Sequence, residues 1–379
     1  MWENLDFGQA IEYAADPYAS IRAWKNETGK KVVGSTLADV PEEVIYAFDI
    51  LPVTLLGTHK PLRKAPSLLP DNACSLARSN LELALTYEND LFDGFVLPQV
   101  CDTTQHMCDI WRINFPDTYV ESILLPRQVD RQSARYWVKE ETMRLISSLS
   151  QWTGKSITPD DLKRSVAIHN ENKRLLSELY QIKRRHPETI TNKQLFSLLK
   201  LSMQVDKKEL NESLKKIRDG LKSHSDGRNH VPVVLTGITC DPLEIFDLFD
   251  EIELNVVADT LVTGSRNLQG IVDEDKSDLV EALMERHFRR GFFSPIHDDV
   301  FKNVEALKAL YKEYSAKAVV YVHIEFCESE EYDVPDLKVA MKKEGIPFHM
   351  LVTEYQTLSL SHVRTRLHAF FESLRESGR

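Results

Sequence analysis

The sequence predicts an α/β protein built from two parallel-sheet domains that face a cleft and are joined by a helical segment. Three observations predict it. Short apolar runs bounded by Gly or Pro alternate with helix-like stretches in both terminal parts of the 379-residue chain, as buried parallel strands with covered faces do. Between these parts the runs give way to long patterns of 3.6-residue period. In each half at least one cysteine ends a strand-like run, the place from which an open parallel sheet presents groups to a cleft. Each sheet domain is therefore expected to be flavodoxin-like. The boundaries fall at 1–29 for a helical lead-in, 30–127 for the first α/β domain, 128–229 for a helical insert and 230–379 for the second α/β domain.

Taken in order, the lead-in scatters Ile11, Tyr13, Tyr18, Ile21 and Trp24 among charged positions. Lys31–Ser35 is the first strand, and Gly34 within it suggests close backbone approach where the strand meets the cleft. Pro41 opens a helix to Phe48, with Glu42 and Glu43 as first-turn acids that favour the helix dipole. Ile50–Gly57 is the second strand, Asn72–Leu85 a helix, Asp93–Pro98 the third strand, Asp109–Phe115 a short helix and Tyr119–Pro126 the fourth strand. In the insert, Thr158-Pro159-Asp160-Asp161 gives a cap, a proline and two early acids, after which Val166, His169, Leu175, Leu176 and Leu179 share a stripe. A polar loop, Ser223–Asn229, closes it. The second unit offers strands at Val231–Gly237, Leu254–Asp259, Ala318–Ile324 and Pro347–Val352, with helices at Leu243–Phe249, Asp278–Arg289, Val304–Tyr314 and Asp336–Lys343.

Composition limits the functions available. With 42% apolar and 28% charged residues the chain is globular and long enough for two or three cores. A net charge of -11 and a pI near 5.6 argue against a nucleic-acid partner, whose phosphates need a basic surface. No apolar run approaches the roughly 20 residues of a membrane helix, and Met1–Asp6 lacks the basic start of a secretory signal. A cytoplasmic protein without membrane association is expected.

Five cysteines, odd in number and widely spaced, do not suit a disulfide framework in such a compartment. No CxxC, HExxH, GxGxxG, GxSxG or Walker A run is present. Cys101 follows the run Gly94–Pro98, Cys327 follows Val319–Phe326, and Cys74 opens a helix-like run. By position these three are the trio for a soft-metal or Fe–S site, because cysteine sulfur holds such clusters from ligands far apart in sequence. Zinc ligands usually come in close pairs. The competing reading is small buried hydrophobes, a common use of cysteine; Cys108 and Cys240 are less firm as ligands, Cys108 being read either as a fourth ligand or, seven residues from Cys101, as a core residue.

Several stretches together resemble one family, the benzoyl-CoA reductase and 2-hydroxyacyl-CoA dehydratase subunits. They are Val40–Val53, Cys74-Ser75-Leu76-Ala77-Arg78-Ser79, Cys101-Asp102 with Trp111 after it, and Glu325-Phe326-Cys327-Glu328 followed by Val334-Pro335-Asp336-Leu337. Thr353-Glu354-Tyr355-Gln356 and Val363–Leu367 complete the set, which spans residue 30 to the end. Asn114-Phe115-Pro116-Asp117 and the Thr353–Gln356 stretch look nearest to the small active-site subunit of ATP-dependent benzoyl-CoA reductase.

The resemblance implies a catalytic subunit that holds a [4Fe-4S] cluster on Cys74, Cys101 and Cys327. It also implies a related partner subunit and a separate ATP-hydrolysing Fe–S activator that delivers one low-potential electron at a time. The substrate would be an acyl-CoA thioester, an aromatic one such as benzoyl-CoA, reduced through a ketyl-type radical anion. An (R)-2-hydroxyacyl-CoA dehydratase β subunit is the second reading, and a non-catalytic scaffold of such a complex a third. His106, one turn past Cys101, is the candidate proton donor, set against an ordinary helix-surface histidine. Ser35, with Thr36, is the candidate substrate contact, set against a cap for the following helix. Arg78, Arg266, Arg289 and Arg290 are cations available to an adenine-nucleotide tail.

Overall fold

The computed structural model describes residues 5–37, 40–87, 90–126, 128–222, 230–289, 300–356 and 360–377. The loop 223–229 and Arg290 lie outside these residues. Helices α1 (Phe7–Ala15) and α2 (Tyr18–Thr28) precede a sheet of β1 (Val32–Ser35), β2 (Leu51–Thr54), β3 (Gly94–Gln99) and β4 (Tyr119–Leu124). Between its strands run α3 (Glu42–Ala47), α4 (Ser75–Glu82) and α5 (Asp102–Asn114). Four helices follow: α6 (Gln132–Thr153), α7 (Pro159–Arg185), α8 (Asn192–Ser202) and α9 (Lys207–Gly220). A second sheet holds β5 (Val231–Gly237), β6 (Leu254–Asp259), β7 (Ala318–Ile324) and β8 (Phe348–Thr353). Its helices are α10 (Glu244–Glu251), α11 (Leu279–Arg289), α12 (Val300–Glu313), α13 (Glu328–Lys343) and the terminal α14 (Ser361–Ser377).

Both sheets are parallel throughout and share one strand order, β2-β1-β3-β4 and β6-β5-β7-β8. That order is flavodoxin-like, and it places a topological switch between β1 and β3 and again between β5 and β7, where a crevice opens at the strands' carboxyl ends. The period-2 alternation of the strands sends neighbours to opposite faces. Val32, Val53, Phe95 and Leu97 pack with Met107 and Trp111 of α5, whereas Val33 and Val96 pack with Leu145 and Leu149 of α6 and Val166 of α7. In the second sheet Val233, Leu235, Val320 and Val322 face Leu195, Phe196 and Phe246, while Val234, Val319 and Tyr321 face Leu307, Leu337 and Met341.

Four details differ from the sequence reading. Helix α5 begins directly after Cys101, not at Asp109, because its polar first turn still sets Met107, Cys108 and Trp111 on one buried face. Helix α13 begins eight residues before Asp336 and carries Pro335 inside it. The Cys327 carbonyl accepts the N–H groups of Glu330 and Glu331, both 3.0 Å away, and three first-turn acids suit the helix dipole. Helix α14 occupies a tail to which the sequence reading assigned no element. Gly34 gives room to the Phe95 ring, 2.9 Å from where its Cβ would lie, so its neighbour is the core and not the cleft.

A buried ion pair ties α3 of the first α/β unit to α11 of the second. Glu43 is 1% exposed and accepts two hydrogen bonds from Arg286, at 2.5 and 3.2 Å. Burial alone would raise its carboxyl, but Arg286 and Lys173 hold it far below the usual carboxylate range. The acid thus does more than serve the helix dipole. Removing one partner of a buried pair strands the other charge. Arg286→Met is therefore expected to lower unfolding stability by about 3–5 kcal/mol in urea titration; a loss under about 1 kcal/mol contradicts this account of α3–α11 packing.

Candidate iron–sulfur site

Three of the five cysteines occupy one kind of position. Cys74, Cys101 and Cys327 are the N-cap residues of α4, α5 and α13. A helix N-terminus presents backbone N–H groups and a positive dipole end, both of which favour thiolate. Cys101 and Cys327 are also counterparts in the two sheets, since each follows the third strand in the order of its sheet. The turn into Cys327 puts Phe326 at φ +63°, a left-handed conformation a bulky side chain adopts only under constraint. At Cys101 the Thr104 hydroxyl accepts the Val100 and Cys101 N–H groups, each at 3.0 Å, and lies 3.6 Å from the Cys101 sulfur.

The structure brings Cys74 and Cys327 together. Cys74 packs against the apolar cluster that contains Cys327, and the interaction of the two thiols lowers the Cys74 pKa and raises that of Cys327, where burial adds to the rise. Backbone N–H groups of Leu76 and Ala77 further favour the Cys74 thiolate. Leu76, Ile324 and Tyr355 pack around the pair, with Leu37 and Ile238 at its edge. Cys101 lines a separate cavity with Gln99, Gln105, Leu124, Pro126 and Trp137. Among the described residues no group of three or more His, Cys, Asp or Glu side chains is close enough to hold a metal ion. Cys108 and Cys240 are buried, and burial pushes both thiols up, as inert core cysteines require.

The other sequence candidates have settings of their own. His106 is exposed on α5, and Ser35 is buried at the end of β1 in register with Thr54 and Val96. Arg78 is held by the Ala73 carbonyl at 3.0 Å and by Glu354 at 3.7 Å; Arg289 pairs with Glu285 at 2.8 Å.

What sequence reasoning missed is the polar hub beside the thiols. Asp241, buried in the loop after β5, accepts from Lys200 at 2.7 Å, from the Tyr355 hydroxyl at 2.9 Å and from His59 Nε2 at 3.2 Å. Burial opposes its ionisation, yet Lys200 and His59 bring its pKa down to about 2. The His59 ring stacks on Tyr355, with centroids 4.9 Å apart, and its Nδ1 lies 2.8 Å from the Tyr355 carbonyl. Both ring nitrogens thus face acceptors, so both bonds form together only in the imidazolium. Burial disfavours that form, but the Asp241 bond and charge outweigh it and the His59 pKa rises. The Tyr355 N–H donates to Ser75 Oγ at 3.1 Å, next to Cys74. Gly57 adopts φ +68° beneath this hub, where a Cβ would collide with Ser79 and come within 2.9 Å of the Tyr355 ring. Only the Thr353–Gln356 stretch signalled any of this in the sequence.

Known proteins match this chain over nearly its whole length. A family model described as 2-hydroxyglutaryl-CoA dehydratase, D-component, matches residues 38–374. The chain is 25% identical over 373 residues to the (R)-phenyllactyl-CoA dehydratase beta subunit of Clostridium sporogenes, covering 97% of this chain and 98% of the relative. It is 26% identical to the (R)-2-hydroxyglutaryl-CoA dehydratase subunit beta of Acidaminococcus fermentans, covering 95% and 97%. To a benzoyl-CoA reductase subunit of Thauera aromatica it is 23% identical, covering 99% and 96%. These relatives are named as subunits of acyl-CoA dehydratases and of an acyl-CoA reductase, and the chain belongs to the 2-hydroxyglutaryl-CoA dehydratase D-component family.

Proposed function

We propose that this chain is the iron–sulfur subunit of a heteromeric acyl-CoA enzyme, with Cys74, Cys101 and Cys327 as the protein ligands of a [4Fe-4S] cluster. The observation that carries the reading is the contact between the Cys74 and Cys327 thiols, one from each α/β unit, in an apolar surround. The donor set fits in chemistry, being three thiols at helix N-caps. In geometry it fits for the pair, and Cys101 has to approach from its own cavity. When bound, such a cluster supplies single low-potential electrons for reduction of a thioester carbonyl to a ketyl-type radical anion.

The chain's own residues would then do three things. The thiols at helix N-termini hold iron as thiolates. The apolar side chains Leu76, Ile324 and Tyr355 keep water from the metal, and burial with hydrogen bonds to sulfur sets its potential. The Asp241 hub fixes Tyr355 and, through Ser75, the head of α4. His106 is exposed, so a role in proton delivery requires the partner protein to cover it. A role for Ser35 in substrate contact requires the cleft to open at the end of β1.

Reduction of an aromatic acyl-CoA such as benzoyl-CoA is the first reading. Dehydration of an (R)-2-hydroxyacyl-CoA is the second, favoured by the matching family model and by the phenyllactyl-CoA and 2-hydroxyglutaryl-CoA relatives. Both need a related partner subunit and an ATP-hydrolysing Fe–S activator.

Protein purified without oxygen is expected to hold roughly four iron and four sulfide per chain. Cys101→Ala should lose the cluster and its absorbance near about 400 nm; an unchanged spectrum shows the ligand choice to be wrong, and iron-free parent protein favours a scaffold. Anaerobic turnover with partner, activator and ATP, on a panel of aromatic and 2-hydroxyacyl thioesters, then separates the branches. A reduced ring supports the first reading and lost water the second; neither product contradicts both.

A further inference from the structure

A second cavity, remote in composition from the cysteines, carries more positive charge than its own acids neutralise. It opens where α3, the end of β2, α7, the start of α9, the loop after β6 and α11 meet. Its charged lining is Glu42, Glu43, Lys173, Lys207, Arg266 and Arg286, with His169 beside them. Glu43 is taken up by Arg286, and Glu42 by Lys207 at 2.7 Å. Lys173 and Arg266 remain.

Their hydrogen-bonding groups, and others of the lining, are unsatisfied. Lys173 Nζ has no hydrogen-bond partner, and its nearest carboxylate oxygen, on Glu43, is 3.9 Å away although the side chain is only 6% exposed. Arg266 Nε and Nη1 and Arg286 Nε are also buried without partners. Arg266 feels Glu330 and Asp259 and shares a neighbouring cavity with Glu330, but neither acid forms a hydrogen bond with those two nitrogens. Buried donors in native proteins are almost always matched. Lys173, Arg266 and Arg286, which carry these unmatched donors, all line one cavity, and an acceptor with negative charge is the partner that would match them.

His169 makes the class narrower. Its Nδ1 lies 2.8 Å from the Ser165 carbonyl and so carries the proton, which leaves Nε2 as a bare acceptor with no partner. Burial lowers the His169 pKa to about 4, so near neutral pH the ring stays in that form. A ligand that fills this cavity has to accept from Lys173, Arg266 and Arg286 and donate one hydrogen bond to His169. Hydrogen phosphate does both; sulfate has no proton to give. The cavity volume of ≈ 40 Å³ exceeds the roughly 10–15 Å³ one water needs, which suits a small tetrahedral ion better than a nucleotide.

We propose that this cavity is a binding site for a small oxyanion of the hydrogen phosphate class, held by Lys173, Arg266 and Arg286 with His169 accepting a hydrogen bond from its hydroxyl. The proposal stands apart from the iron–sulfur reading, because none of these residues belongs to the cysteines' apolar surround. Burial and repulsion from Arg286 bring the Lys173 pKa down to about 7, so a bound dianion would also keep that lysine charged. Occupation would cross-link α7, α11 and the loop after β6.

The test uses the full chain in phosphate-free buffer at neutral pH, with inorganic phosphate, sulfate and adenosine monophosphate as probes in calorimetry and thermal melts. Phosphate is expected to bind once per chain and to raise the melting temperature with concentration, sulfate to bind more weakly, and the nucleotide not to compete. Lys173→Met should weaken phosphate binding about 10–100-fold, the loss of one charged hydrogen bond, and phosphate should no longer raise its melting temperature from the variant's own ion-free value. Should that variant misfold, Arg266→Gln is expected to show the same loss of phosphate response. Absence of saturable phosphate binding, an equal phosphate response in the variant, sulfate binding as tightly as phosphate, or competition by the nucleotide each overturns the proposal.

Discussion

A buried carboxylate is costly unless charges and hydrogen bonds surround it, and Asp241 is the one on which the meeting of the two sheets depends. Its partners come from distant parts of the chain: His59 after β2, Lys200 on α8 and Tyr355 after β8. Loss of Lys200 would leave a buried carboxylate with only the part-exposed His59 to balance its charge. The hub therefore fixes the carboxyl end of the first sheet against that of the second, and the Tyr355–Ser75 bond extends the constraint to Cys74. Because the Asp241 pKa is depressed in the folded chain, its contribution is fully present above the ordinary carboxylate range and is lost as pH falls through about 2.

The thiol pair follows from this constraint together with strand order. In each sheet the third strand in the order lies beside the switch point and leads into a cysteine that caps the next helix. Parallel sheets offer no other place where backbone N–H groups, side-chain sulfur and an open crevice coincide so directly. Docking two such sheets by their carboxyl ends sets Cys327 of the second against Cys74 of the first, while Cys101 keeps its own cavity.

The sheets were legible because buried strands leave apolar runs, and all eight observed strands lie within or one residue beyond the segments read from those runs. The helix starts at Cys101 and Cys327 were not, since polar first turns and Pro335 look like loop until the cap carbonyls are seen to take their N–H groups. That Cys74, Cys101 and Cys327 sit at strand ends or helix starts was readable from the runs around them; that Cys74 packs with Cys327 and apart from the Cys101 cavity was not. The Asp241 hub was not readable: His59 and Asp241 are 182 residues apart, and nothing local to either signals a partner. The same holds for Glu43 and Arg286, separated by 243 residues. Glu43 at a helix start is fully explained by the dipole until burial shows that it needs a cation.

The central claim is that the fold itself holds Cys74 and Cys327 in contact. Oxidation of iron-stripped, folded protein with a thiol oxidant, followed by alkylation and peptide mapping, tests it most directly. The account predicts one intramolecular Cys74–Cys327 disulfide with Cys101 left to be alkylated. Recovery of Cys74 and Cys327 as separately alkylated peptides, or a disulfide that joins Cys101 to either of them instead, would contradict it.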